Sequence, residues 1–453
     1  MSAEQPAFPF ALTQPPEHHG PLPDAVDVAV IGAGVIGICA ALDLARQGLR
    51  VLVLEKGRVA AEQSSRNWGW IRTQGRDLAE IPISLAARAQ WQALDAACGG
   101  RLGLARVGVT YLARDEAAMA RYGDWLRSAA GHDGLDSHLL DRKGVAALLP
   151  AARGDWPGGL HTPSDMVAEP WAAVPEIARL AVSEGVLIRE GCAVRCLDMA
   201  AGRVAGVVTE AGSVRCASVV LAGGAWSALF LRNHGVALPQ LSVRATALAT
   251  DALPELATGG AAEPGVAWRR RRDGGYTLAP STASAFHIGP DAFRALRAYL
   301  PLLRAGGFDV SFRGPAPRGF PDAWGTPRRW RADQPSPFEA MRVLNPAPVP
   351  QRLRAILDRF GAVFPDLAPV TARKAWAGMI DTLPDVVPVV DHCAALPGLV
   401  VATGMCGHGF GIGPGFGPII ADLVTGRPPA HDLQRFRMQR FADGTPMRPG
   451  PNI

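Results

Sequence analysis

The run Asp27-Val28-Ala29-Val30-Ile31-Gly32-Ala33-Gly34-Val35-Ile36-Gly37, with Val51-Leu52-Val53-Leu54-Glu55 a little further on, decides how this chain folds. The residues between Asp27 and Gly32 are β-branched or small and wholly apolar, as a strand covered on both faces requires. Beyond Gly37, apolar residues recur at Ala40, Ala41, Leu44 and Ala45 with helical spacing until Gly48 stops them. A second apolar strand then ends on Glu55. Gly32 permits a tight turn, Gly34 leaves room for a pyrophosphate against the backbone, and Gly37 lets the helix lie close on the strand. The helix start at Val35 and Ile36 faces phosphate charge. Glu55, 18 residues past Gly37, stands where a carboxylate accepts hydrogen bonds from ribose hydroxyls. Together these parts read as a dinucleotide-binding βαβ unit. The acid disfavours a 2′-phosphate and hence NADP, while FAD and NAD both stay open on this motif alone.

With 453 residues, two domains are expected. An apolar fraction of 48% and a charged fraction of 19% describe a packed globular protein. The net charge of +5 does not read as a nucleic-acid footprint, because the basic residues are arginines scattered along the chain and only Lys56, Lys143 and Lys374 are lysines. The one dense run, Arg269 to Arg272, lies between Trp268 and Gly274-Gly275-Tyr276 and reads as strand and turn. Seven cysteines show neither a CxxC pair nor zinc spacing, so no metal is expected and a reducing, cytoplasmic setting is. Residues 1–24 are proline-rich and read as a flexible arm without a signal pattern, and the apolar window 26–45 is the βαβ unit, not a membrane span.

Three further segments bear on the cofactor. Ser64-Ser65-Arg66-Asn67-Trp68-Gly69-Trp70-Ile71-Arg72 follows the second strand. Val219-Val220-Leu221-Ala222-Gly223-Gly224-Ala225-Trp226-Ser227 ends another strand in a glycine pair, after a β-rich stretch through Cys192, Val194, Val204 and Val214. Near the C-terminus, Gly398 to Thr403 enters Gly404-Met405-Cys406-Gly407-His408-Gly409-Phe410-Gly411-Ile412-Gly413 and then a helix closed by Gly426. In this order, and over most of residues 25–427, the segments resemble the D-amino-acid oxidase superfamily of FAD-dependent oxidoreductases. The serine loop is most similar to bacterial amine, D-amino-acid, glycine/sarcosine and opine oxidases or dehydrogenases.

The resemblance implies an α/β fold: a Rossmann-type FAD-binding domain from 25–95, 155–235 and 370–430, and a mostly antiparallel substrate domain from 96–154 and 236–369, with a tail at 431–453. It implies contacts to non-covalent FAD from the fingerprint, from Lys56 beside Glu55, from the serine loop through Gly69, from Val194, from Ala222 to Gly224 with Trp226, and from Gly404 and Gly407 to Ile412. Attachment through a cysteine is not expected, since none lies just upstream of Thr382-Leu383-Pro384-Asp385. In sarcosine-oxidase relatives a lysine before an aliphatic residue and glycine reaches over the flavin. Phe286-His287-Ile288-Gly289 is similar with histidine in that place, which implies His287 near the flavin and leaves O₂ or a quinone or electron-transfer protein as acceptor. Arg72 matches a family arginine at the flavin's edge, suited to a substrate carboxylate or to reduced-flavin charge. One arginine of the 269–272 run is a further candidate for the pocket, and His408, between glycines, is read as structural.

The implied reaction is hydride transfer from the α-carbon of a small amine or amino acid to the flavin N5, giving an imine. Oxidation of a 2-hydroxy acid on the same fold, a flavin-binding scaffold without turnover, and an NAD-dependent dehydrogenase stay open as alternatives.

Overall fold

The computed structural model describes residues 15–451 other than 258, 283, 307–309 and 368; most of the expected N-terminal arm, residues 1–14, lies outside the described residues. The first strands set the layers. Val28, Val30, Val51 and Val53 turn to one side of their sheet, and Ala29, Leu52 and Leu54 turn to the other. Because both faces are apolar, both must be covered. Helices Val35–Arg46, Glu80–Ala97, Pro170–Ser183 and Gly409–Thr425 pack on the first face. An antiparallel meander of Val194–Ala200, Arg203–Thr209 and Gly212–Arg215 packs on the second.

The sheet runs Val389–His392, Leu399–Thr403, Ser218–Leu221, Val28–Ile31, Val51–Leu54, Leu187–Arg189, and every pairing but the first is parallel. The glycines of the C-terminal helix have a packing reason: a Cβ on Gly417 would lie 2.1 Å from Asp43 Oδ2, so the helix presses against Val35–Arg46 where a side chain has no room.

A second, ten-stranded sheet is mostly antiparallel, with parallel pairings only between Val109–Leu112 and Gly260–Glu263 and between Ser284–Ile288 and Val310–Pro315. Its longest ladder joins Leu241–Ala252 to Ala372–Thr382. The hairpin read from Val266 to Leu278 is present, as Val266–Arg270 paired with Gly275–Ala279. Two strands expected with the nucleotide-binding part, Gly158–Thr162 and Ala372–Thr382, run instead in this second sheet. The chain changes layers after each of them, later than the sequence segments suggested. The C-terminal segment is packed: Phe436 is fully buried and Arg440 grips Asp385 at 2.7 and 3.0 Å. No helix among the described residues is long and apolar enough to cross a membrane.

Candidate active site

A cleft of about 1230 Å³, counted with its open mouth, runs along the ends of the parallel strands. It begins at the fingerprint. Gly32 has φ +103°, and a Cβ there would lie 2.5 Å from the Ala222 carbonyl oxygen, so two glycine-bearing turns meet with no room for a side chain. Gly34, Val35 and Ile36 line the cleft where the helix starts without a cap from its own first residue. The Ser64 Oγ, from the serine loop, accepts the Val35 N–H at 2.9 Å.

Glu55 lines the same wall, but its carboxylate already accepts the Ala33 N–H at 2.9 Å and the Gly57 N–H at 2.7 Å. It therefore fixes the turn as well as facing the cleft, and burial pushes its carboxyl up from the ordinary range. Lys56 is held inside the wall: its Nζ donates to Glu62 at 2.5 Å and to the Met341 and Arg342 carbonyls, and sits 4.4 Å from the centre of the Trp226 ring. Glu62 also accepts the Trp226 Nε1–H at 3.0 Å and the Leu344 N–H at 3.0 Å, a gathering role that no motif announced. Val194, Ala222, Gly223 and Gly224 complete this half of the lining.

At the other end, strand Ala372–Thr382 divides two spaces by its alternation. Met379 and Asp381 face the first cleft, whereas Gly378, Ile380 and Thr382 face a second, larger one. Gln63, Asn67, Gly407 and Phe410 line both, so the clefts meet there. Gln63 was not anticipated, and its Oε1 is buried at this junction without a partner. Asp381, also missed, is buried and accepts the Gly404 N–H at 2.8 Å, the Met405 N–H at 3.3 Å and the Gln240 Nε2–H at 3.1 Å. Helix Gly409–Thr425 opens onto the junction through Gly409 and Phe410, again without a side-chain cap.

Other expected contact residues stand behind the lining. A Cβ on Gly37 would be 2.0 Å from the Gly32 carbonyl oxygen, which is helix-on-strand packing. Ser65 and Ile412 are buried, Gly404 lies under Leu383, and Gly411 accepts the Trp91 Nε1–H at 2.9 Å. Gly69 leaves no room beside the Ala168 carbonyl. Arg66 donates to the Ala61 and Ala377 carbonyls and to Asn345 Oδ1, and with Trp68 it borders the second cleft, not the first. These residues lie one layer back because a turn needs support as much as lining.

The second cleft holds Arg72, whose guanidinium donates to the Gln74 carbonyl and sits 5.1 Å from the centre of the Tyr111 ring. His408 lines it too, with Nδ1 3.4 Å from Glu80. Burial, with Arg76 nearby, pushes the His408 imidazole down to about 4. His287 lines neither cleft. On strand Ser284–Ile288 its neighbours Phe286 and Ile288 face the cleft, so His287 points the other way and packs edge-on against Phe320 at 5.6 Å. The arginines at 269–272 are outside the cleft as well: Arg269 pairs with Glu169 at 2.9 Å, Arg270 with Glu255, Arg271 with Asp273, and Arg272 donates to the Gly100 carbonyl.

A glycine-cradled cleft on a parallel sheet, with two helix N-termini opening onto it and a second cleft joining at its end, is the layout of a dinucleotide-cofactor oxidoreductase. The family model DAO, "FAD dependent oxidoreductase", matches residues 27–423, and the chain belongs to that family. The L-amino acid deaminase of Proteus myxofaciens, solved in complex with anthranilate, is 31% identical with a TM-score of 0.89, covering 94% of this chain and 96% of that one. The D-amino acid dehydrogenase of Methylobacterium sp. (strain 4-46) is 26% identical over 91% of this chain and 99% of its own length. That of Paramagnetospirillum magneticum is 26% identical over 66% of this chain, and the match spans 57% of that relative's length. The cofactor is accordingly FAD, and the first cleft fits it: glycines where added Cβ atoms would collide, amide-bearing helix starts for the pyrophosphate, and a carboxylate at the end of the second strand.

Proposed function

We propose that the chain oxidises the C–N bond of a small amine or amino acid in the second cleft, using FAD held in the first. The observation that carries this reading is the junction at Gln63, Asn67, Gly407 and Phe410, residues that line both clefts. Gly32, Gly34, Glu55, Ser64, Gly224 and Gly409 would hold the dinucleotide. Bound FAD supplies a two-electron acceptor for the α-C–H bond, leaving an imine that water hydrolyses to a carbonyl compound and an amine or ammonia.

The protein's part is orientation and charge. Arg72 offers a guanidinium to a substrate carboxylate. Gln63 Oε1, an acceptor without a partner, suits an N–H at the junction. His408 is neutral at ordinary pH and pairs with Glu80, which makes it a positioning group and not a proton donor to substrate. Cys406, beside the junction, donates its thiol proton to the Gly404 carbonyl at 3.0 Å, and burial raises it far above the usual thiol range. A thiol so held is a poor nucleophile for attachment, which supports non-covalent binding of FAD. The acceptor that reoxidises the flavin is O₂ or a quinone or electron-transfer protein, and seven free thiols suit a cytoplasmic setting.

The test is anaerobic bleaching of the holoenzyme's flavin by D- and L-amino acids, N-alkyl glycines, opines and 2-hydroxy acids, followed by admission of oxygen. Bleaching by amines is expected. Bleaching by hydroxy acids alone, or by nothing in the panel, would overturn the reading.

A further inference from the structure

The second cleft is charged in one direction. Among the described residues, seven arginines line it against a single carboxylate, Glu263. Arg359 is answered by Glu263, Arg114 by Asp115, and Arg66 by backbone carbonyls. Deep in the cleft, Arg72 donates to the Gln74 carbonyl and Arg76 to the Arg72 carbonyl, and neither is met by a charge. Neither has a carboxylate within 4.0 Å among the described residues. Arg76 is only 2% exposed, its Nε reaches the Arg72 carbonyl at 3.3 Å, and its Nη1 is buried with no hydrogen-bond partner. A guanidinium in such a place is stable only if something else accepts its protons.

The nearest acids do not serve. Neither makes a hydrogen bond to Arg76: Glu80 faces His408 and leaves one oxygen without a partner, and Asp165 accepts the Thr73 N–H at 2.8 Å while its other oxygen has none. Burial, with Arg72 beside it, lowers Arg76 to about 9, so its guanidinium is cationic at neutral pH. One carboxylate bridging the pair leaves most N–H groups of two guanidiniums without an acceptor, beside the apolar wall of Tyr111, Val243, Ile380 and Phe410. Two carboxylates give each guanidinium an acceptor of its own.

We propose that the substrate of this cleft is a dicarboxylic amine, either an acidic amino acid or an N-carboxyalkyl amino acid, with Arg72 and Arg76 receiving its two carboxylates. The inference rests on the amine-oxidising reading, narrows its substrate class, and makes Arg76 a specificity-determining residue.

Two measurements on the holoenzyme test it. In the first, unreactive anions are titrated while the flavin absorption spectrum is followed. Malonate and succinate should bind at least about tenfold more tightly than acetate and propionate. Arg76→Met should remove that advantage while leaving monocarboxylate binding within about threefold. In the second, kcat/KM is compared for acids and their amide isosteres, glutamate against glutamine and aspartate against asparagine in both chiralities. A preference for the acid of about 30-fold or more is expected, lost in Arg76→Met. Equal binding of mono- and dicarboxylates, or equal turnover of acid and amide, overturns the proposal. If Arg76→Met yields no holoenzyme, the wild-type comparison decides alone. The anion titration needs no turnover, so a flavin that no amine bleaches would sink the amine-oxidising reading while the preference for dianions is still read.

Discussion

The Asp381 carboxylate accepts the backbone N–H of Gly404 at 2.8 Å, and by this bond the longest ladder of the second sheet is fastened to the turn that opens onto the cofactor cleft. Asp381 is buried, and Met405 N–H, Gln240 Nε2–H and Thr403 Oγ1–H converge on the same oxygen. Burial pushes its carboxyl up, while these donors oppose the shift. Replacing Asp381 by alanine leaves several buried donors unmade, at a cost of about 3 kcal/mol. Asp381→Ala should melt several degrees lower and be purified with a smaller share of FAD, whereas Asp381→Asn, which keeps an acceptor, should recover much of both. An alanine variant with wild-type melting and full flavin content would show that the two layers are joined elsewhere.

A methyl group tests the fingerprint more severely. At Gly37 it would sit 2.0 Å from the Gly32 carbonyl oxygen, which is backbone in a turn that cannot yield. Gly37→Ala should therefore push the helix Val35–Arg46 off its strand, costing at least about 2 kcal/mol and most of the bound flavin. The control is Gly48→Ala. Gly48 has φ +86°, where alanine is strained, but a Cβ there meets nothing within 4 Å, so the change should cost stability without costing flavin. Equal flavin retention in both variants would refute this account of Gly37.

How far the sequence could be read follows from the kind of constraint each residue obeys. Gly32 and Gly37 were legible because backbone approach excludes every other side chain, and the excluded volume leaves a fixed spacing in the chain. The turn at Ala222 to Gly224 was legible for another reason: Gly224 lies at φ +51°, where a side chain is strained. Glu62 and Asp381 were not, because each is a lone polar residue that gathers groups from other segments: 282 residues separate Glu62 from Leu344. Gln63 was not, because its buried Oε1 has no partner at all. The arginine run at 269–272 misled for a similar reason: the partner of Arg269, Glu169, is 100 residues distant, and nothing local marks the pair. His287 misled differently. A local match gives a strand but not its phase, and in a strand a phase error of one residue turns the side chain to the opposite face.

That phase makes a direct prediction. His287 packs on Phe320, and neither of its ring nitrogens has a hydrogen-bond partner. Burial, with Arg244 nearby, lowers its pKa and keeps the ring neutral. His287→Gln should change kcat/KM for the best amine by less than about twofold and leave the rate of flavin reoxidation unaltered, as expected of a side chain outside the site. A loss of tenfold or more in the reductive half-reaction would place this residue at the flavin after all.

Asp165 sets the pH dependence. It is fully buried, accepts the Thr73 N–H through one oxygen and leaves the other unpartnered. Burial outweighs Arg72, Arg88 and Arg76 and raises its carboxyl to about 7. The folded protein thus holds this proton more tightly than the unfolded chain, whose aspartate titrates near 3.8. Its contribution to stability is fully present below pH 3.8 and is lost as pH rises through about 7, by at most roughly 4 kcal/mol. Asparagine keeps the acceptor for Thr73 and never ionises. Asp165→Asn should therefore raise Tm by a few degrees at pH 8 and change it by less than about one degree at pH 4. His408 and His234, both lowered to about 4, act in the opposite sense: their contribution is full above pH 6.5 and falls as pH drops toward 4. They are unchanged between wild type and variant and cancel in the difference. A variant less stable than wild type at pH 8 would mean that Asp165 is ionised in the fold and held by its arginines.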